Sequence, residues 1–312
     1  MAVHPKTKQL AVQALAAALV IAAAAYLLFN TLANLEARRI ASGFAFLWHE
    51  AGFEIGESAF AYGAADSYFR ALLVGLANTF KVAVLGIVAA TVLGTAIGLF
   101  RLSGNRLLAG LSSCYVELLR NVPLLVQLFF WYALITEGLP APREALSPLP
   151  GVFLTNRGLF FPTFGGVPEL QGFNFAGGGA LSPEFAALLI GLSLYTAAFI
   201  AEIVRAGVLA VRRDQWHAAQ ALGLERRDVL RYVVAPQAMR IIVPPLTSQY
   251  LNLTKNSSLA VAIGYPDLVS IANTTINQTG QAIEGVTIIM AVYLTISLAI
   301  SALMNRYNAR LR

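Results

Sequence analysis

Long apolar runs constrain the fold of this chain more than any other feature. A membrane-spanning helix needs about 20 predominantly apolar residues. Runs of this kind predict six spans, at residues 10–32, 72–100, 115–135, 185–211, 243–272 and 285–304. Pro123 should bend the third span, because proline interrupts the helical hydrogen-bond pattern. The chain is therefore expected to be an all-α integral membrane protein with about six transmembrane helices.

The composition agrees with a membrane location. Hydrophobic residues make up 57% of the chain and charged residues only 12%, about half of what soluble domains carry. The mean hydropathy is +0.66. The net charge of +6 could by itself indicate nucleic-acid binding, but arginines that flank spans on the cytoplasmic side give the same total.

No pattern in the sequence is typical of a catalytic or metal site. The single cysteine, Cys114, excludes an internal disulfide and a cysteine metal cluster, and the three histidines are too scattered in sequence to suggest a metal site. The motifs G-x-S-x-G, H-E-x-x-H and G-x-x-x-x-G-K-[ST] are missing. We therefore expect no catalysis and no metal, and any nucleotide chemistry would belong to a partner.

The basic residues predict the orientation of the spans, since cytoplasmic loops are enriched in lysine and arginine. With a cytoplasmic N-terminus, only a few basic loop residues fall outside, namely Arg38, Arg39, Arg70, Arg143 and Arg157. Both termini and the loop at 212–240 are therefore predicted to be cytoplasmic. Residues 34–68 and 136–183 are predicted to be external.

The predicted external segments are not expected to span. Residues 34–68 are mixed in character and predict a loop or short amphipathic segments. Residues 136–183 are rich in glycine and proline and predict a loop with little regular structure. The first span is longer than the core of a signal peptide, which is about 7 to 15 residues, so we interpret it as a retained anchor.

The predicted cytoplasmic loop contains the stretch HAAQALGLERRDVLRYVVAPQAMR. It predicts a helix with Asp214 as its N-cap, a turn with Gly223 in the left-handed conformation, and a second, basic helix. The spacing of Ala219, Gly223 and Val229 also fits a DNA-binding helix-turn-helix. A helix held at both ends by membrane spans could hardly reach a major groove, which argues against DNA.

A protein partner suits this loop better. Ala218, Ala219 and Leu222 give the first helix a small-residue face that can enter a groove on another protein. The loop contains the pattern A-A-x-x-x-G, which ends at Gly223. After nine more residues it contains the pattern V-x-x-P, which ends at Pro236. It resembles the E-A-A-x-x-x-G loop of ABC importer permeases, the coupling helix that lies in a cleft of the ATPase subunit.

The resemblance extends along most of the chain. The stretches YVELLRNVPLLVQLFFWY and NLTKNSSLAVAIGYPDLV look like the polar amino acid permeases of bacteria. ANLEARRIASGFAFL and DSYFRALLVGLANTF are similar to a permease of the general L-amino-acid importers. Two positions depart from the family pattern: His217 replaces its glutamate and Ala235 its leucine. The Ala-Ala and Gly positions that fix the shape of the loop remain.

The resemblance implies a type I ABC importer permease fold, with an added N-terminal span before a five-span core. It implies a first unit at 1–68 and a permease domain at 69–312. The implied partners are a second permease, cytoplasmic ATPases that hold ATP and magnesium, and a periplasmic amino-acid-binding protein. This chain would bind no cofactor, and would lie in the bacterial inner membrane and move L-amino acids inward.

Polar residues inside the predicted spans are candidates for the translocation pathway, because such residues are costly in lipid. The candidates are Glu117, Arg120, Asn121, Glu202, Lys255, Asn256, Ser257 and Ser258. The last four belong to a polar run that either lines the pathway or bonds one helix to another. Lys255 could attract a substrate carboxylate, or it could neutralise Glu117 or Glu202.

The other candidates have structural alternatives. Glu117 with Arg120, and Glu202 with Arg205, stand three residues apart and could form salt bridges along one helix. Asn121 could instead help to shape the bend at Pro123. At the level of the whole chain, the rival hypotheses are a secondary transporter driven by an ion gradient and a membrane-tethered DNA-binding regulator.

Overall fold

The protein, seen in a computed structural model, is built mainly of long helices, and the structure describes residues 5–37 and 42–311. Arg38 and Arg39, which the sequence predicts to be external, fall outside this description. The principal helices are α1 (Pro5–Ala37), α2 (Tyr68–Phe100), α3 (Arg106–Asn121), α4 (Leu124–Gly138), α5 (Pro183–Leu209), α6 (Arg213–Ala221), α7 (Arg226–Asp228), α8 (Ala235–Asn256), α9 (Leu268–Thr279) and α10 (Ala282–Leu311).

The described residues contain four single helices that are long and apolar enough to cross a membrane. These are α2, α5, α10 and the Val12–Thr31 part of α1. Two further pairs of helices pass the same test only as bent units, so the spans number up to six if each pair counts as one. All six predicted apolar runs thus fall on helices, and the two most polar runs are the broken ones.

The first bent pair consists of α3 and α4, which meet at an angle of 106° around Pro123. The predicted bend is therefore confirmed, although it is a break between two helices. Gln127 helps to stabilise the break, because its side-chain amide donates to the carbonyls of Leu119 and Val122, both at 2.9 Å. Carbonyls at a helix end need such partners, above all in lipid.

The second bent pair divides the predicted fifth span, at 243–272, into two helical parts. Helix α8 passes into a 3₁₀ helix at Ser257–Ile263, and α9 follows at an angle of 52°. Gly264 adopts a left-handed conformation, with φ of 81°, and ends the 3₁₀ helix. Asp267 then caps α9, since its carboxylate accepts from the backbone amide of Ser270 at 2.8 Å.

Close packing of α2 on α5 forms the centre of the molecule. A Cβ atom on Gly94 would lie 2.7 Å from the carbonyl oxygen of Ala197, and one on Gly98 would lie 2.7 Å from that of Ala201. Any larger residue would push the two helices apart. Small residues that let backbones approach are typical of packing between membrane helices.

The segment predicted as an irregular loop, 136–183, instead contains six short strands, so that prediction is wrong. The strands are β1 (Leu146–Leu149), β2 (Val152–Thr155), β3 (Gly158–Phe161), β4 (Glu169–Gln171), β5 (Asn174–Ala176) and β6 (Gly179–Leu181). We call residues 142–181 the strand segment. An antiparallel sheet has the order β1-β2-β3-β6, and β4 and β5 form a hairpin. Phe153 stacks on Phe175 at 4.3 Å and joins the two.

At the same end of the molecule, the residues before α2 attach to the outer parts of several helices. We call residues 42–67 the linker segment. Its Glu57 carboxylate lies 2.5 Å from the Lys81 ammonium on α2 and accepts from the Ser182 hydroxyl, also at 2.5 Å. Asn78 on α2 donates to the backbone carbonyls of Glu57, at 2.8 Å, and Pro266, at 2.9 Å. Glu57 therefore ties the linker segment to α2 and to the start of α5, and Asn78 joins it to the break before α9.

We expect Glu57→Gln to destabilise the protein by about 1–3 kcal/mol, because it leaves the partly buried Lys81 without its carboxylate. The thermal unfolding midpoint in detergent should fall accordingly. Glu54→Gln is the matched control, since the Glu54 carboxylate makes one long bond, at 3.3 Å, to the exposed amide of Ala64. Equal shifts for the two variants would contradict a special role for Glu57.

Candidate functional site

The loop at 212–240, here called the two-helix loop, lies at the opposite end of α2 and α5 from the linker segment. Its first helix, α6, begins at Arg213 with Arg212 at the N-cap position and no side-chain cap. The predicted N-cap role of Asp214 is therefore wrong. Asp214 lies inside the first turn, where its negative charge suits the helix dipole, and its carboxylate pairs with Arg212 at 2.7 Å.

Gly223 ends α6 in the predicted conformation, with φ of 82°. The amide of Leu224 donates to the carbonyl of Ala219 at 3.2 Å, and the amide of Gly223 donates to that of Gln220 at 2.9 Å. This pair of bonds defines the Schellman motif. No atom lies within 4 Å of the place where a Cβ on Gly223 would be, so backbone conformation alone favours glycine here.

The small-residue face of α6 is only partly exposed. Leu222 is 83% exposed and Ala218 and His217 are also exposed, whereas Ala219 is only 4% exposed. Ala219 lies in the same buried cluster as Val229 and Val234. A bulky residue at position 219 would separate α6 from the next helix, so Ala219 sets the shape of the loop and does not belong to its exposed face.

The second half of the two-helix loop contains an irregular turn before Pro236. Residues Val229–Val234 form a π-helical stretch between α7 and α8, and the exposed Pro236 lies in the first turn of α8. Proline lacks a backbone N–H and its ring clashes with the carbonyl four residues earlier. A wider turn before Pro236 accommodates both effects.

Glu202 on α5 joins three elements near the two-helix loop. Its carboxylate pairs with Arg205 at 2.5 Å, which confirms the predicted salt bridge along α5. It also pairs with Arg101 at the end of α2, and Arg101 donates to the hydroxyl of Ser113 on α3 at 3.2 Å. Sequence reasoning missed Arg101, because nothing local links two residues so far apart along the chain.

The other predicted salt bridge is wrong. Among the described residues, neither Glu117 nor Arg120 takes part in an ion pair. The Arg120 guanidinium lies over the ring of Phe199, 5.1 Å from its centre. The Asn121 side chain donates to the carbonyl of Glu117 at 2.7 Å, which supports its alternative role at the bend.

The polar run near the end of α8 mainly satisfies its own helix. The Ser257 hydroxyl donates to the carbonyl of Thr254, and the Ser258 hydroxyl donates to that of Lys255, both at 2.7 Å. Lys255 is exposed and Asn256 is partly buried. Within the described part of the chain Lys255 pairs with no carboxylate, so its predicted neutralisation of Glu117 or Glu202 is wrong.

The six helical runs, two of them broken, and the two-helix loop between α5 and α8 define a multi-pass membrane protein with a surface suited to a partner protein. Residues 83–312 match the family described as binding-protein-dependent transport system inner membrane component. The match covers most of the chain. The chain belongs to this family, the permeases of ABC importers.

Two similar proteins are named as permeases of amino-acid transport systems. The chain is 45% identical to YhdX of Escherichia coli (strain K12), over 99% of this chain and 95% of that protein. It is 42% identical to the general L-amino acid transport system permease protein AapQ of Rhizobium johnstonii, over 98% of this chain and 93% of that protein. Family membership decides against the secondary transporter and the DNA-binding regulator.

Solved structures support the type I ABC importer fold. An amino acid ABC transporter crystallised with histidines is 27% identical, with a TM-score of 0.60, over 78% of this chain and 95% of that chain. An inward-facing MetNI methionine transporter is 16% identical with a TM-score of 0.56, over 78% of this chain and 97% of that chain, and supports the fold alone.

Among the three charged residues that join α2 and α5, Glu202→Gln should be the most destabilising substitution. It removes both ion pairs and leaves Arg101, whose side chain is 12% exposed, without a carboxylate; we expect a loss of about 2 kcal/mol. Arg205→Gln should cost less, because Glu202 keeps Arg101. Thermal unfolding in detergent measures the loss of stability of each variant. A larger loss for Arg205→Gln than for Glu202→Gln would contradict the expected order.

Proposed function

We propose that this chain is the transmembrane permease subunit of an ATP-driven importer of L-amino acids that depends on an external binding protein. Its substrates would be polar amino acids such as glutamate, glutamine and aspartate. The names of its relatives support this class: besides AapQ, a glutamate/glutamine/aspartate/asparagine transport system permease protein, BztB of Rhodobacter capsulatus, is 36% identical over 98% of this chain and 94% of that protein.

The assembled importer would contain a second permease, with which this chain forms a heterodimer, and two cytoplasmic ATPase subunits. ATP and magnesium would be held by the ATPases, and this chain would perform no chemistry. The positive-inside bias of the sequence supports cytoplasmic termini and a cytoplasmic two-helix loop. The linker segment and the strand segment would then face the binding protein in the periplasm.

The two-helix loop carries the proposal. It joins the ends of α5 and α8, it is locked by the Schellman turn at Gly223, and it exposes Leu222 and Ala218 to a partner. When ATP draws the two ATPases together, the α6 helix that is docked in an ATPase must move with that subunit. A rigid loop would pass that movement to α5 and α8. The substrate cavity of the assembled importer would then switch between its inward-facing and outward-facing states.

The ion pairs around Glu202 extend this movement beyond α5. Glu202 and Arg205 lie on α5 close to the loop, and Arg101 brings in the end of α2. Since α2 is also packed tightly on α5 along Gly94 and Gly98, the loop, α5 and α2 would move as one body.

Gly223→Val should abolish coupling, because a β-branched residue is strained at a positive φ. ATP-dependent uptake into vesicles with added binding protein should fall to background, and substrate should no longer stimulate the ATPase. Gly223→Asn should keep much of both, since asparagine tolerates this conformation. Gly104→Val is the matched control: Gly104 also has open space around it, but no positive φ.

The Gly223→Val protein must still reach the membrane for this test. If it then keeps ATP-dependent uptake and substrate-stimulated ATPase activity, the coupling role of the loop is refuted. Uptake driven by an ion gradient without ATP or binding protein would refute the proposed class of transporter. Comparing glutamate, glutamine and aspartate with an apolar amino acid in the same vesicles tests the proposed substrates.

His217 should be compatible with coupling, although the family pattern has glutamate there. The residue is exposed, and the positions that shape the loop, Ala219 and Gly223, are unchanged. We therefore expect His217→Glu to leave substrate-stimulated ATPase activity within about twofold, a difference below 1 kcal/mol. This expectation would be contradicted if the native chain bound its ATPase poorly and His217→Glu restored that binding.

A further inference from the structure

A large cavity lies directly behind the first helix of the two-helix loop. Its volume is about 800 Å³, and its walls come from the ends of α2 and α5, from α6 and from the π-helical turn. Apolar side chains form most of this lining, among them Leu102, Val211 and Val234. The cavity therefore offers an apolar interior at the end of the membrane spans.

A second cavity, of about 630 Å³, continues the first along the spans. The two share Leu99, Val208 and Ala235 in their walls, and the second runs between α2, α5, α8 and α10 as far as Tyr250. From Ala235 to Tyr250, α8 rises about 22 Å. The hydrocarbon of one bilayer leaflet is about 15 Å thick, so the combined groove is long enough for an acyl chain.

Charge is confined to one end of this groove. Arg213 and Arg226 line the first cavity beside His217, and among the residues that the structure describes no acidic side chain lines either cavity and no charged side chain lines the second. Both arginines are exposed, and within the described residues neither forms an ion pair. A ligand that fits must therefore be anionic at one end and apolar along its length.

A zwitterionic amino acid does not meet this description. Its ammonium and carboxylate groups would lose water inside the groove, where the second cavity offers, among the described residues, only the hydroxyls of Thr91, Thr95, Tyr250 and Tyr307 as polar side-chain groups. A phospholipid does meet it, because acyl chains gain from apolar surroundings. Basic pockets between membrane helices near the cytoplasmic surface are suited to anionic headgroups.

We propose that this groove binds one anionic phospholipid, with its headgroup phosphate between Arg213 and Arg226 and an acyl chain along α8 toward Tyr250. Trp216, His217 and Gln220 of α6 line the headgroup end. The bound lipid would support α6 from behind and hold it in the position from which it meets its partner. Anionic lipid would thus act as a structural ligand of the two-helix loop.

Native mass spectrometry of the purified, assembled importer tests this binding, with phosphatidylglycerol or phosphatidylcholine as the added lipid. We expect phosphatidylglycerol to be retained preferentially. The double variant Arg213→Ala with Arg226→Ala should bind it about 30-fold more weakly, the effect of two arginines near a membrane surface. The matched control is Arg227→Ala with Arg231→Ala, which removes two arginines from the same loop outside the groove.

Ala235→Trp provides a second test, because it fills the junction of the two cavities and leaves every arginine in place. It should also reduce retention of phosphatidylglycerol. An equal loss with the control pair would show attraction to general surface charge and overturn the proposal. So would equal retention of the two lipids, or displacement of the lipid by an added amino acid. Lipid retention is measured without transport, so its failure would leave the proposed function untouched.

Discussion

The close contact between α2 and α5 is the interaction on which the rest of this permease depends. Gly94 and Gly98 let the two backbones meet, and no side chain larger than glycine fits at either position without a shift. Water gives no hydrophobic driving force within a bilayer, so packing and polar bonds hold membrane helices together. Polar bonds reinforce this contact at both ends: at one, Glu57 pairs with Lys81 on α2 and accepts from Ser182 at the start of α5, and at the other, Glu202 on α5 pairs with Arg101 at the end of α2.

Each end of the α2–α5 pair carries a different attachment. At one end Glu57 holds the linker segment against Lys81 on α2 and Ser182 at the start of α5. The strand segment and the break before α9 lie at this same end. At the other end the two-helix loop follows α5 after a turn of a few residues. An importer must pass movement from an ATPase on one side of the membrane to a cavity that opens on the other. A stiff pair of helices with surfaces at both ends suits this task.

The sequence predicted the helical spans, the break at Pro123 and the turn at Gly223, because each depends on local chemistry: apolar length, a missing amide and a positive φ. It did not predict the strands of the strand segment, since short strands between turn glycines have almost no periodic signal. It also missed Arg101 and Glu57, whose partners are distant in sequence. Polar residues such as Ser257 looked functional in sequence, yet their hydroxyls bond to carbonyls of their own helix.

In the proposed mechanism the two-helix loop, α5 and α2 move as one body. The most direct measurement is the distance between spin labels at Gln220→Cys on α6 and Val84→Cys on α2, in a Cys114→Ser background, in the assembled importer with and without ATP. We predict the same distance in both states, within about 2 Å, while the ATPase turns over. A change of about one helical turn, roughly 5 Å, would show that the loop moves independently of α2. It would contradict movement of the loop, α5 and α2 as one body.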